Sequence, residues 1–247
     1  MQENKISIIT VTYNSRETVE CTLESVLSQT YKPFEYIIID GASTDETVAV
    51  TEGFRGRFEE AGIKLTIVSE KDDGIYDAMN KGIKIASGEI IGIINSDDYY
   101  EPNALRVVND AYNETCFDLF YADLRMVYPD GRSFIKHSRN RKYATSRDWN
   151  HPTTFITKCT YEKYQYKNDT IHDDYDLILR LKKDNVRTCV KNEVIANFRM
   201  NGVSHNRSLK KAMERVGIKY KIYRQNGYSC FYFFECFIVE AGKLIIG

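Results

Sequence analysis

Glu89-Ile90-Ile91-Gly92-Ile93-Ile94-Asn95-Ser96-Asp97-Asp98 sets a short, isoleucine-rich run directly against two adjacent carboxylates. A run this short and apolar has the pattern of a buried strand. Side chains beyond its carboxyl end then lie where open parallel sheets bind their ligands. Two aspartates there repel each other, and any phosphate, unless a cation sits between them. The competing reading is a solvated turn before a helix starting near Pro102, with Asp98 or Glu101 helping to cap it.

Working towards the amino terminus, strand and helix patterns alternate. Ile6 to Thr12 is strand-like, and Val19, Leu23, Val26 and Leu27 then recur at helical spacing, with Asn14 or Ser15 as the cap. Phe34 to Ile39 is the next strand, and Thr44 to Glu60 is helical with interruptions at Gly53 and Gly56. Leu65 to Val68 reads as a third strand, and Ile75 to Ala86 as a helix with Ile75, Met79, Ile83 and Ala86 on one face. With Ile90 to Ile94 as the fourth strand, the pattern predicts an α/β fold on a parallel sheet.

The exits of these strands carry Thr12, Tyr13 and Asn14, then Asp40 and Ser43, then Asp72 and Asp73, then Asn95, Asp97 and Asp98. Caps and turns account for Asn14, Ser43 and Asp73, but they do not require so many acids on one edge. A ligand crevice does. No GxGxxG follows the first strand and no GxxxxGK[ST] occurs, so glycine-rich phosphate cradles are not the device. An acidic edge that holds a diphosphate needs a divalent cation, Mg2+ or Mn2+.

The 247 residues suffice for one large core, or one core with a small extension. Hydrophobic content of 43% and charged content of 28% are those of a soluble globular protein, and a net charge of -1 argues against a general nucleic-acid binder. Met1 leads into charged residues and a strand, so no signal peptide is expected, and the six cysteines show no zinc or redox spacing. A reduced, cytoplasmic protein is the simplest expectation.

After residue 100 the pattern predicts a helix from Asn103 to about Tyr112, a strand over Leu119 to Tyr128, and a hairpin turn at Pro129-Asp130-Gly131. Residues 138–149 are polar and basic, and read either as a solvated loop or as a mobile loop beside an anionic ligand. A helix over Ile171 to Lys182 opens His172-Asp173-Asp174-Tyr175-Asp176. Three acids in a first turn suit a helix dipole; alternatively, one of them takes a proton from an acceptor hydroxyl.

Taken together, SIITVTYN at 7–14, SVLSQTY at 25–31, YIIIDGASTDET at 36–47, DGIYDAMNKGI at 73–83, SGEIIGIINSDD at 87–98, HDDYDLILRL at 172–181 and FRMNGVSHN at 198–206 resemble the family 2 inverting glycosyltransferases of GT-A fold. The likeness covers about the first 206 residues and is strongest to bacterial enzymes that build capsule, O-antigen or exopolysaccharide units. It implies a Rossmann-like, mostly parallel sheet flanked by helices, divided into a catalytic domain over 1–206 (nucleotide-sugar half 1–98, acceptor half 99–206) and a helical extension over 207–247.

The resemblance also implies roles. Asp40 reads the nucleotide base with Thr12, Tyr13 and Asn14 beside it, and Asp72 and Asn80 line the donor pocket. Asn95, Ser96 and Asp97 occupy the DXD motif, with Asn95 in place of the usual first acid, Asp97 as the metal ligand and Asp98 in support. Asp174 matches the general base, although His172 and Asp173 depart from the usual preceding Glu and keep Asp173 in contention. His205 is a candidate last ligand of Mn2+ or Mg2+, or a structural residue. The implied reaction is inverting transfer of one sugar from a nucleoside diphosphate sugar, a UDP-hexose, to a glycan or lipid-linked saccharide. The processive members' QxxRW and spanning helices are not found. A metal-dependent nucleotidyltransferase and a non-catalytic nucleotide-sugar-binding module are the competing readings.

Residues 207–247 hold eight basic and three acidic residues, a net +5, and end in a tail rich in Phe and Ile that Glu235, Glu240 and Lys243 interrupt. A membrane-spanning helix is not expected. Two readings stand: an interfacial anchor on the inner face of the cell membrane, or a helix packed on the core or on a second copy in a homo-oligomer.

Overall fold

The computed structural model describes residues 2–200 and 208–246, and the side chains among them up to residue 242. Strands β1 (Ile6–Thr12) and β2 (Glu35–Asp40) are buried along their whole length, as parallel strands covered on both faces must be. β3 (Lys64–Ser69) is half-exposed at the edge, and β4 (Ile90–Ile93) is buried. The four pair in parallel in the order β3-β2-β1-β4. Between them run α1 (Val19–Leu27), α2 (Thr47–Gly53), α3 (Arg55–Glu60) and α4 (Ile75–Ile85).

The sheet continues without a break into the second half of the chain. After β5 (Tyr99–Tyr100) and α5 (Ala104–Thr115) come β6 (Leu119–Val127), β7 (Ser133–Lys136), β8 (Phe155–Thr157), α6 (Lys158–Lys163), α7 (Asp173–Lys183) and β9 (Thr188–Arg199). Short β8 lies antiparallel between β4 and β6, β9 runs parallel to β6, and β7 folds back on β6 as the Pro129-Asp130-Gly131 turn predicts. One apolar layer gathers Leu23, Tyr36, Phe58, Leu105 and Phe120. The other gathers Ile9, Ile39, Met79, Leu177 and Tyr223. Gly82 lets α4 approach the sheet: a Cβ there would stand 2.6 Å from Ile9 Cγ2.

Several local expectations shift. The helix expected over 44–60 breaks at Phe54, whose amide turns to Thr51, while Gly56 stays helical. Ile75 opens α4 and is exposed; Tyr76 takes the buried place, stacked on Tyr166 at 5.2 Å. Neither Asn14 nor Ser15 caps α1 with its side chain, because Asn14 has φ +49 and its side-chain carbonyl receives the Thr44 amide at 2.9 Å. Neither Asp98 nor Glu101 caps α5 with its carboxylate: Gln29 Oε1 accepts the Leu105 amide at 3.0 Å across the fold.

Two last helices, α8 (Leu209–Gln225) and α9 (Tyr232–Ile246), pack on one another, and α8 packs on α7. No helix among the described residues is long and apolar enough to cross a membrane. All six cysteines are free.

Candidate active site

The carboxyl edge of the parallel strands is a hydrogen-bonded floor. Asp40, at the end of β2, is buried and accepts Thr12 Oγ1 at 2.9 Å, Ser69 Oγ at 2.7 Å, and both the amide (2.9 Å) and hydroxyl of Ser43. Burial pushes its carboxyl up, but these four donors outweigh it and hold the group below the ordinary carboxylate value. They fill its acceptor sites. Three are rotatable hydroxyls, so an incoming N–H can replace one without moving the backbone. Beside it, Asn14 donates its amide to Ser43 Oγ at 2.8 Å, and Tyr13 is exposed. Asp72 accepts the Gly74 amide at 3.0 Å, and its carboxylate lies so close to Gly41 that a Cβ there would come within 2.5 Å of Oδ2.

The quartet after β4 is wired into the same edge. Ser96 Oγ meets Ser15 Oγ at 2.7 Å, and the Asp98 carbonyl accepts Thr22 Oγ1 at 2.6 Å. Asp98 is fully buried, with Oδ1 accepting the Arg199 amide at 3.2 Å. Its Oδ2, and Asn95 Oδ1, have no hydrogen-bond partner among the described residues. Burial and then the charge of Asp97 push the Asp98 carboxyl well up, against the pull of the Arg199 amide and guanidinium. Burial raises Asp97 as well, opposed by its own backbone and by Arg199. Such a pair strains towards either a proton or a cation.

A divalent cation fits this arrangement. Asp97 is half-buried and orphaned oxygens of Asn95 and Asp98 stand in the same turn. No group of three or more His, Cys, Asp or Glu that could hold a metal ion occurs among the described residues. His205 lies outside the described residues.

At the start of α7 the three acids part company. Asp173 is buried and accepts the Asp169 amide at 2.6 Å, the Thr170 amide at 3.0 Å and Thr170 Oγ1 at 2.8 Å, folding the preceding loop onto the helix. Asp176 pairs with Lys167 (3.0 Å), Arg180 (2.8 Å) and Asn226 (2.7 Å). Asp174 is half-buried and accepts the Tyr175 amide at 2.7 Å; its charge acts on Tyr76, His151 and Tyr166. Burial, then the Asp174 charge, drives the Tyr76 hydroxyl far up; burial lowers His151, which Asp174 partly offsets.

Thr12, Tyr13, Asn14, Asp40, Asp72, Asn95, Ser96 and Asp97 thus share one edge, and α4 links it through Tyr76 to Asp174. Asn80, a candidate lining residue of the donor pocket, donates its amide nitrogen to Tyr166 O at 2.9 Å and accepts the Tyr166 amide at 3.2 Å, so it also holds a strap. The basic stretch is not a bare solvated loop. Arg141 pairs with buried Asp148, with Nε at 2.8 Å, and Arg147 reaches Glu235 at 3.5 Å. Tyr76, His151, Tyr166 and Arg199 escape sequence reasoning; Tyr76 and Arg199 do lie inside DGIYDAMNKGI and FRMNGVSHN, but nothing local marks them. A separate open groove of about 540 Å³, lined by Glu3, Lys5, Tyr31, Phe34 and Arg106 among others, adjoins the amino end of β1 and holds none of these groups.

Comparison with known proteins gives the family and the fold. The family model described as Glycosyl transferase family 2 matches residues 7–184. A PGL/p-HBAD biosynthesis glycosyltransferase of Mycobacterium bovis is 36% identical over 122 residues, 49% of this chain and 46% of that protein. A chondroitin synthase of Escherichia coli is 25% identical over 240 residues, 87% of this chain and 33% of that one. The chain therefore spans less than half the length of these curated relatives. Among solved structures, the mannosyltransferase PcManGT from Pyrobaculum calidifontis in complex with GDP-Man and Mn2+ matches with a TM-score of 0.69 at 16% identity, covering 100% of this chain and 75% of that one. S. aureus TarS in complex with UDP-GlcNAc gives 0.67 at 18%, covering 97% and 72%. At such identities the likeness is one of fold, and it is the GT-A-like fold. With well over half its length matched and an acidic crevice at the carboxyl edge of its sheet, this chain belongs to glycosyl transferase family 2.

Proposed function

We propose that the chain transfers a single sugar from a nucleoside diphosphate sugar, a UDP-hexose, to a hydroxyl of a glycan or lipid-linked saccharide, with inversion, in bacterial surface polysaccharide synthesis at the cytoplasmic side of the cell membrane. The observation that carries this reading is the contrast at α7. Asp173 folds the preceding loop onto the helix and Asp176 pairs with two cations, whereas half-buried Asp174 is tied to neither and its charge acts on Tyr76, His151 and Tyr166. The names of the relatives, and the UDP-GlcNAc and GDP-Man seen in structural neighbours, support a nucleotide-sugar donor.

Asp40, with its hydroxyl partners, orients the nucleotide base, and Tyr13 and Asn14 close over it. Asp72 and Asn95 take sugar and ribose hydroxyls. Asp97 would hold Mn2+ or Mg2+, with His205 as a further ligand, and Asp98 in support; the ion's charge neutralises the departing diphosphate. Asp174 accepts the proton of the acceptor hydroxyl as that oxygen attacks the anomeric carbon opposite the leaving group. A carboxylate suffices, since the proton becomes acidic only as the new bond forms.

A panel of nucleotide sugars with Mn2+, scored for slow donor hydrolysis and for protection against heat, tests this. Stabilisation by one nucleotide-sugar class is expected. Binding of none would contradict the reading.

A further inference from the structure

We infer that the outer face of α9 seats the protein on an anionic lipid surface. In sequence Glu235 and Glu240 break the apolar tail, but in the fold both turn inward. Glu235 is buried, accepts the hydroxyls of Thr145 and Tyr143, the latter at 3.3 Å, and faces Arg147. Glu240 is buried and accepts Arg215 Nε and Lys219 Nζ, each at 2.7 Å. Breaking either group of contacts would strand a buried charge, so both acids hold the helix in this rotation.

Among the described side chains of α9, those left exposed are apolar only. Phe231, Phe234, Phe237 and Ile238 recur at spacings of three and four and are 74%, 60%, 46% and 60% exposed. Phe233 extends the stripe towards α8, where its ring meets Tyr220 edge-on at 5.6 Å. Single exposed apolar residues are ordinary on a protein surface, but a contiguous stripe of large ones is a contact surface.

Charge selects the occupant. The exposed charged side chains on the described part of the two helices are Lys210, Lys211, Lys221 and Arg224 against Glu214, because Arg215 and Lys219 are occupied with Glu240. An apolar stripe on one helix, packed beside a second helix whose exposed charges are four basic and one acidic, is what an amphipathic pair lying on an anionic membrane presents. The same two helices grip Ala144 and Thr145 and, through Tyr223, the residue after Asp174. Docking would therefore set the acceptor side of the crevice at the bilayer; this last step rests on the proposed function, whereas the binding does not.

The test is flotation of the full chain with vesicles of phosphatidylglycerol and phosphatidylcholine in equal parts, and with phosphatidylcholine alone. Wild type should float with the anionic vesicles. Phe234→Glu with Phe237→Glu, and separately Lys210→Glu with Lys221→Glu, should each weaken recovery roughly tenfold. Thermal unfolding checks that both variants fold, and the charge-reversed pair keeps the test decisive where the Phe pair does not. The inference is overturned by wild type staying in solution with anionic vesicles, or by the Phe variant floating equally well. It is overturned too by a wild-type dimer that the Phe variant converts to monomer while neither binds vesicles. Donor hydrolysis without vesicles should match wild type in both variants; its failure in wild type with flotation intact counts against the proposed function alone.

Discussion

The hydroxyl of Tyr175, the residue that follows Asp174, is hydrogen bonded to the hydroxyl of Tyr223 on α8. Tyr223 donates its own proton to Ala144 O at 3.0 Å, so Tyr175 is the donor in the pair. The start of α7, the 138–150 loop and the C-terminal helices are thereby tied at one buried point. Tyr223→Phe leaves the Ala144 carbonyl and the Tyr175 hydroxyl without a partner, a cost of about 1–3 kcal/mol. A lower melting temperature is expected, with sugar transfer falling more than donor binding. Equal stability and full transfer would show that the tie is idle.

Asp40 gives a pH signature. Its native carboxyl lies below the ordinary value, so the folded chain binds fewer protons than the unfolded chain as pH falls. The stability it contributes is present above the unfolded pKa of about 4 and is lost as pH drops through the depressed native value. Asp40→Asn should lose about 1–3 kcal/mol at neutral pH and show a shallower fall in melting temperature below pH about 4. Parallel acid unfolding curves for the two proteins would contradict this.

Gly41→Ala separates binding from stability. The added Cβ meets Asp72 Oδ2, the end of a side chain, so the carboxylate can yield at a cost of about 1 kcal/mol, the low end for an overpacked site. Calorimetry should then find a several-fold weaker nucleotide-sugar affinity with nearly unchanged unfolding. Unchanged affinity would remove Asp72 from the donor pocket.

Asn95→Asp adds a third carboxylate beside Asp97 and buried Asp98. Without metal the extra charge should destabilise by about 1–3 kcal/mol, and Mn2+ should restore more stability than it gives wild type. Melting with chelator and with Mn2+ reads both effects. A variant indifferent to Mn2+ would argue that the turn does not bind it.

Much of this was legible in the order of residues. Strands such as Ile6–Thr12 and Glu35–Asp40 are buried on both faces, so their apolar runs and polar exits declare a parallel sheet and its crevice edge. Partners distant in sequence were not legible. Gln29 capping α5, β8 inserted antiparallel between β4 and β6, and Tyr76 beside Asp174 are all long-range contacts that no local periodicity encodes. The three acids of α7 looked alike because the dipole argument treats them alike; only the donors arriving from Asp169, Thr170, Lys167 and Asn226 distinguish them.

The most direct test is Asp174→Asn measured side by side with wild type for nucleotide-sugar binding with Mn2+ and for sugar transfer to an acceptor. The variant should bind donor within about twofold of wild type and transfer sugar some 10²- to 10⁴-fold more slowly, the usual contribution of a positioned base. Transfer at close to the wild-type rate with donor binding intact would contradict Asp174 as the base.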